Sequence, residues 1–157
     1  MIVSNPENSS ETQDIPVWPV HCVQNTKGAE IIPEIDVSKV DTIVEKGRDK
    51  RVEMFSVFSD SFGRKGEALS SHDVAGLLRN AGVTQVFATG LAGDYCAFHT
   101  AVDAKKEGFE VFLVEDAVKS VDPGQGGWGA SKKKLHDIGV SIVNMNGSEV
   151  EKIEGVA

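Results

Sequence analysis

The second half of the chain alternates short apolar segments with amphipathic ones. Residues 83–89, 109–114 and 140–145 are rich in β-branched and aromatic side chains, which favours strands. Apolar residues elsewhere in this half recur at helical spacing, and a glycine follows each helical segment. The predicted helices run from Ser70 or Ser71 to Ala81, from 94 to 107, and from 128 to 138. Strands that alternate with helices form right-handed βαβ units, so the pattern predicts an α/β fold with a parallel sheet.

The first half gives weaker structural signals. Residues 1–17 are rich in Ser, Asn, Glu and Thr, which predicts a loop or a disordered lead-in. Residues 40–46 (VDTIVEK) are short and β-branched, which predicts a strand. The chain shows no internal repeat, so residues 18–150 are expected to form one domain and residues 151–157 a tail.

Composition and charge narrow the classes of function. The 157 residues carry a formal net charge of −8. An acidic chain without a basic stripe argues against nucleic acid and anionic membrane surfaces as partners. The N-terminus has no apolar signal segment, and no apolar run is long enough to span a bilayer. We therefore expect a cytoplasmic location, with nuclear or peroxisomal ones as alternatives, and reduced cysteines.

Two residues stand out because ligands of open parallel sheets bind beyond the carboxyl ends of the strands. Cys96 follows a predicted strand and a glycine-containing loop, so it falls in the first turn of the next helix. Unpaired N–H groups there stabilise a thiolate and a developing oxyanion, which makes Cys96 a candidate nucleophile. The alternative is a small buried apolar residue. Lys46 ends a predicted strand at the same rim. Its ammonium either stabilises negative charge there or is an ordinary solvated side chain.

The other reactive side chains carry weaker signals. His21 is a candidate metal ligand or a hydrogen-bonded packing residue, because the spacing supplies no second ligand nearby. Asp103, Asp116 and Asp122 are able to transfer protons. Asp116 is the best placed of them, although a turn or capping role is the simpler interpretation. The glycine-rich residues 124–129 lack a phosphate-binding pattern and are predicted to form a flexible loop.

Three pairs of segments carry a resemblance to a known family. They are 18–26 (WPVHCVQNT) with 28–30 (GAE), 44–47 (VEKG) with 55–58 (FSVF), and 90–96 (GLAGDYC) with 100–104 (TAVDA). From about residue 18 to residue 146, the chain resembles the nicotinamidases of the isochorismatase-like cysteine hydrolases. The first pair is specific for nicotinamidases, whereas the cysteine segment is typical of the whole family.

The resemblance implies a fold, a reaction and a set of site residues. The fold is a three-layer, Rossmann-like α/β/α arrangement around a parallel sheet. The reaction is hydrolysis of nicotinamide to nicotinate and ammonia through a cysteine thioester, in NAD salvage. By position, Cys96 matches the nucleophile and Lys46 the triad lysine. The Leu91–Ala92 bond matches the family's cis peptide, and the N–H groups of Ala92 and Cys96 match its oxyanion hole.

The resemblance also implies a metal and shows a departure. His21 matches the last protein ligand to a divalent metal, commonly zinc. The triad aspartate, the other metal ligands and a ring-stacking aromatic belong to an N-terminal βαβ portion without a counterpart in this sequence. We therefore expect weak activity or none, with the substrate-binding residues unassigned. The alternatives are a cysteine hydrolase for another carboxamide or a vinyl ether, or an inactive chain with a binding or assembly role. Each of these interpretations is compatible with a homo-oligomer.

Overall fold

The computed structural model describes residues 1–154, with strands and helices alternating in the second half of the chain. The strands are β1 (Ile2–Asn5), β2 (Asn8–Asp14), β3 (Gln85–Leu91), β4 (Glu110–Lys119) and β5 (Ser141–Val143). The helices are α1 (Val74–Asn80), α2 (Cys96–Lys106), α3 (Ala130–Asp137) and α4 (Ser148–Glu154). Short 3-10 turns occur at Lys27–Ala29 and Val37–Lys39.

The central element is a parallel sheet in the order β3–β4–β5. Side chains alternate between its two faces, as they must in extended backbone. On one face, Val111 and Leu113 of β4 pack in a cluster with residues of α1, α2 and α3. On the other, Phe112 and Val114 pack with Val150 of α4. Helices therefore cover both faces, which confirms the predicted three-layer α/β/α fold.

Helix α1 begins later than predicted. Its N-cap is Asp73, whose carboxylate accepts a hydrogen bond from the Gly76 amide at 3.1 Å, whereas Ser70 and Ser71 lie upstream of the helix. The predicted glycine at the end of the helix is confirmed, because Gly82 follows the helix with φ of +72°.

The prediction of a loop or disordered lead-in at residues 1–17 is wrong. Strands β1 and β2 pair there as an antiparallel hairpin, with Ile2 opposite Asp14. The buried side chain of Asn5 shapes the turn, because its Oδ1 accepts the Glu7 amide at 3.0 Å. Polar composition misled the prediction, since backbone hydrogen bonds can hold a mostly exposed ribbon whose side chains bury little surface.

The prediction of a strand at residues 40–46 is also wrong. Val40 and Ile43 are exposed, so the β-branched side chains find no apolar face to bury. Backbone bonds instead join this region to residues 69–71: Arg48 donates to the Leu69 carbonyl, and the Ser71 amide donates to Glu45. Lys46 consequently makes only an isolated antiparallel bridge, with Ser70.

Two smaller expectations also change. The glycine-rich segment forms one π-helical turn, Gln125–Gly129, that leads into α3. The expected boundary at residue 150 falls inside α4, so residues 151–154 continue a helix, and residues 155–157 lie outside the described part of the chain. Within residues 1–154, no helix is long and apolar enough to cross a bilayer.

Candidate active site

Cys96 lies at a sharp elbow between β3 and α2. The backbone leaves the strand through Gly90, at φ of +95°, and a cis peptide bond between Leu91 and Ala92. The Ala92 carbonyl then accepts the Tyr95 and Ala97 amides, each at 3.0 Å, which closes the turn. Cys96 is the first residue of α2 and is half-buried. Its own amide is one of those that a helix start leaves without an intrahelical partner.

Lys46 reaches this elbow from a distant part of the sequence. Its Nζ lies 3.7 Å from the Cys96 Sγ and donates a hydrogen bond of 2.5 Å to the Met54 carbonyl. Met54 is almost fully buried, so the acceptor that orients the ammonium is fixed. The structure therefore brings together the two residues on which the sequence prediction rested, although Lys46 does not end a sheet strand.

Residues 54–59 run alongside α2 and hold this arrangement in place. The Val57 amide donates to the Thr100 hydroxyl at 3.3 Å, and the Ser59 hydroxyl donates to Asp103 at 2.8 Å. The segment thus follows the helix from Cys96 onwards. Because it also supplies the Met54 carbonyl to Lys46, it couples the position of the lysine to the helix that carries the thiol.

Aromatic side chains surround the elbow. The Tyr95 ring meets Trp18 edge-on at 4.8 Å between centroids and lies 5.6 Å from Phe55. Phe55 in turn stacks on His99 at 5.2 Å. Such rings offer flat apolar surfaces beside the Cys96 sulfur, which suits an aromatic or planar ligand better than an aliphatic one.

The three carboxylates considered for proton transfer have structural partners. Asp103 bonds Ser59 and Lys106; its burial works to raise its pKa, but these hydrogen bonds outweigh the burial and lower it. Asp116 accepts the Met145 amide at 2.9 Å. Asp122 accepts the Gly124 amide at 2.8 Å, as expected for a turn residue. Among residues 1–154, no carboxylate hydrogen-bonds to the Lys46 ammonium or the Cys96 thiol.

The surroundings of His21 do not fit a metal centre on the described residues alone. The His21 ring is exposed, and its Nδ1 lies 2.8 Å from the Pro19 carbonyl oxygen. In the part of the chain that the structure describes, no group of three or more His, Cys, Asp or Glu side chains could hold a metal ion. A zinc site needs three or four protein ligands, so His21 by itself is insufficient.

Sequence reasoning missed one residue of the elbow. The carboxylate of Asp94 accepts backbone hydrogen bonds from Val121 and Asp122, at 2.9 and 2.8 Å. These partners are 27 and 28 residues away, so no local pattern could have indicated the contact. The one available signal was its position, two residues before the candidate nucleophile.

Comparison with known proteins gives the family. The sequence profile of the Isochorismatase domain matches residues 3–145. The nicotinamidase of Acinetobacter baylyi is 34% identical over 106 residues, which make up 68% of this chain and 47% of that protein. The chain thus spans about half the length of the curated relatives it matches.

Solved structures agree on the fold. The pyrazinamidase of Pyrococcus horikoshii in complex with zinc is 36% identical, with a TM-score of 0.68 over 82% of this chain and 63% of that one. The yeast nicotinamidase bound to the inhibitor nicotinaldehyde is 25% identical, with a TM-score of 0.82 over 92% of this chain and 66% of that one. Because the family profile covers most of the sequence and these structures share its architecture, the chain belongs to the Isochorismatase domain family.

Proposed function

We propose that this chain carries the nucleophile of a nicotinamidase-type amidohydrolase, which converts nicotinamide to nicotinate and ammonia in NAD salvage. The observation that carries the proposal is the 3.7 Å approach of the Lys46 ammonium to the Cys96 sulfur. A helix-start cysteine beside a cation is the arrangement that activates a thiol for covalent catalysis. The relatives named above supply the substrate class.

The position of Cys96 at the elbow between β3 and α2 suits the following reaction. The Cys96 sulfur attacks the amide carbonyl, a carbon–sulfur bond forms, and negative charge collects on the oxygen. The amides of Ala92 and Cys96, at the turn and the helix start, are the donors proposed for that oxygen. Collapse breaks the carbon–nitrogen bond, and the nitrogen leaves as ammonia with the proton of the thiol. Water then hydrolyses the thioester, which yields the carboxylic acid and restores the thiol.

The aromatic cluster of Trp18, Tyr95 and Phe55 supports a planar substrate ring. Trp18 also lines a cavity of about 280 Å³ between the hairpin and residues 50–53. Apolar side chains of residues 15–20 form much of its wall, but Cys96 and Lys46 do not line it, so the support for a planar substrate comes from the three rings beside the elbow. A pyridine carboxamide is a better match to those rings than a flexible aliphatic amide.

Turnover by this chain alone should be slow. The thiol proton must pass to a base and then to the leaving nitrogen, and general acid–base help is typically worth about 10²–10⁴-fold. Within residues 1–154, Lys46 is the sole side chain that hydrogen-bonds the thiol. The expected result is nucleophilic addition at Cys96 with little release of ammonia.

Two assays on the purified chain test the proposal. The first measures ammonia from nicotinamide, with Cys96→Ala as the control. The second measures reversible addition of nicotinaldehyde by native mass spectrometry, since an aldehyde reports on the nucleophile without needing a leaving group. We expect a one-to-one thiohemiacetal at Cys96, lost in Cys96→Ala and weakened in Lys46→Met. Cys22, which is exposed and free, is the internal reference thiol.

A second candidate function rests on the finding that, within residues 1–154, no carboxylate hydrogen-bonds Lys46 or Cys96. An inactive chain that binds a partner or assembles with complete subunits would need no proton relay. A folded chain that forms no aldehyde adduct at Cys96 and releases no ammonia would favour this candidate and overturn the enzyme proposal. An adduct at Cys96 that depends on Lys46 would favour the hydrolase.

A further inference from the structure

The Asp94 carboxylate joins the nucleophile elbow to the loop after β4. Its two oxygens accept separate backbone hydrogen bonds, from Val121 at 2.9 Å and from Asp122 at 2.8 Å. A carboxylate that accepts backbone N–H groups makes a charge-assisted bond, about twice as strong as a neutral one. Both oxygens thus accept backbone N–H groups of the loop, and among the described residues neither oxygen hydrogen-bonds the Cys96 thiol.

Capping of α2 does not explain Asp94. The N-cap of that helix is Tyr95, and no side chain caps it by a hydrogen bond. An aspartate near a helix start usually bonds the first free amides of its own helix. Here the side chain bonds residues 121 and 122, so it does not occupy the Cys96 amide.

The elbow lies too close to the end of β4 to move independently. The Gly93 amide donates to the Lys119 carbonyl at 2.9 Å. A Cβ at Gly93 would lie 2.4 Å from Val118 Cγ1 and 2.6 Å from Ser120 Oγ. The turn therefore contacts β4 directly, and the Asp94 bonds extend that contact into the following loop.

The loop that receives Asp94 is itself well anchored. The Asp122 carbonyl accepts the Trp128 amide at 2.8 Å, and its side chain accepts the Gly124 amide at 2.8 Å. Trp128 is in turn held by Glu115.

The Trp128 indole N–H donates to Glu115 at 3.0 Å, and the Lys132 ammonium donates to the same oxygen at 2.8 Å. These hydrogen bonds lower the pKa of the Glu115 carboxyl, so it stays ionised near neutral pH. The loop that accepts the Asp94 contacts is thus a fixed support.

From this geometry we infer that Asp94 is a positioning residue for the proposed hydrolase. By fastening the elbow to residues 121–122, it sets the direction of the Ala92 and Cys96 amides towards the oxygen of the reacting carbonyl. The inference rests on the proposed function, because those amides matter only if Cys96 attacks a carbonyl. Oxyanion stabilisation depends on donor placement, and displacement of about 1 Å can cost about 10²-fold.

The test compares two reactions of the same sulfur. Addition to nicotinaldehyde needs the sulfur and the two amides, whereas alkylation by iodoacetamide needs the sulfur alone. In Asp94→Asn, one backbone N–H keeps an acceptor and the other faces an NH₂ group. We expect the dissociation constant of the aldehyde adduct to rise about 10- to 100-fold. The rate of Cys96 alkylation should stay within about twofold, because the sulfur and Lys46 are untouched.

The matched control is Asp73→Asn. Asp73 is an exposed aspartate whose side chain accepts a helix-start amide of α1, so the substitution makes the same change of charge outside the elbow. Both reactions of Cys96 should be unchanged in this variant. A loss of adduct equal to that of Asp94→Asn would assign the effect to charge rather than to position and would overturn the inference.

The remaining outcomes separate this inference from the proposed function. If the wild-type chain forms no adduct and releases no ammonia, the proposed function fails and the positioning role falls with it. If the wild type forms the adduct and Asp94→Asn binds the aldehyde equally well, the positioning role alone is wrong. Equal slowing of both reactions would show that Asp94 merely supports the fold. Should Asp94→Asn not fold, amide exchange in the wild type decides: the Val121 and Asp122 amides should be as protected as that of Ala97, and fast exchange would overturn the role.

Discussion

At the residue scale, His99 shows how packing changes the chemistry of a side chain. It lies one turn after Cys96 on α2, stacked on Phe55 and edge-on to Phe98. Burial lowers the pKa of its imidazole below the ordinary value near 6.5, and the charges of nearby lysines add to that effect, while Asp103 opposes it. The His99 ring is therefore neutral at physiological pH, so it adds no second positive charge near the Lys46 ammonium.

His99 should make the stability of the chain depend on pH. The unfolded imidazole binds a proton as the pH falls below about 6.5, whereas the folded one resists protonation, so protonation favours unfolding. We expect the unfolding free energy of the wild type to fall from pH 7.5 to 5.5 more steeply than that of His99→Gln. Urea titrations at several pH values measure both curves, and the other three histidines are common to the two proteins. Parallel curves would contradict the assignment.

At the scale of the elements, β4 is the organising strand. It pairs with β3 on one side and β5 on the other, and its side chains alternate between two apolar clusters. Helix α3 packs on the same face as α2 through Leu135, which is fully buried. Because one side chain provides much of this contact, the position of α3, and with it of the π-helical turn that carries Trp128, depends on it.

Truncation of Leu135 should therefore be costly. Leu135→Ala removes methyl groups from a closed cluster, and we expect it to lower the free energy of unfolding by about 2–5 kcal/mol. Ile138→Ala is the matched control, because Ile138 lies near the same helix but is 43% exposed and should cost less than about 1 kcal/mol. Equal losses for the two variants in urea denaturation would show that α3 does not dock through Leu135.

For the whole molecule, Arg64 connects three separate regions. Its Nε bonds the fully buried carboxylate of Asp60 at 2.8 Å, and its other nitrogens lie 3.7 Å from Asp49 and 3.4 Å from Glu7 of the hairpin turn. The Gln13 side chain adds a bond to the Ser61 carbonyl at 2.7 Å. The N-terminal hairpin is thereby attached to the loops beside the sheet, although it shares no strand with the sheet.

Removal of Arg64 should weaken the fold more than removal of a neighbouring arginine. Arg64→Met leaves the Asp60 carboxylate buried without its cation, and we expect a loss of about 3–5 kcal/mol. Arg48→Met is the control, since that arginine is exposed and its side chain donates to the Glu67 carbonyl at 3.3 Å rather than to a carboxylate, so the cost should stay below about 1 kcal/mol. Thermal and urea unfolding measure the difference. An effect of Arg64→Met no larger than that of Arg48→Met would contradict the role.

Local sequence patterns were sufficient to predict the elements that residues close together in the sequence determine. The order of β3, α2, β4, α3 and β5 follows from apolar periodicity and from glycines that end helices. Each of these five elements exists, although β4 continues to Lys119, beyond its predicted end at residue 114. The hairpin at residues 1–17 was missed because its strands bury little apolar surface. The strand expected at 40–46 is absent because its apolar residues have no face to cover.

The sequence by itself determined the alternating α/β core and the elbow that carries Cys96, because apolar periodicity and glycine act over a few residues. Only the tertiary structure decided what surrounds that elbow. Lys46 reaches Cys96 across 50 residues, and Asp94 reaches Val121 across 27. Such contacts depend on how separate elements pack together, and no short stretch of sequence records that packing.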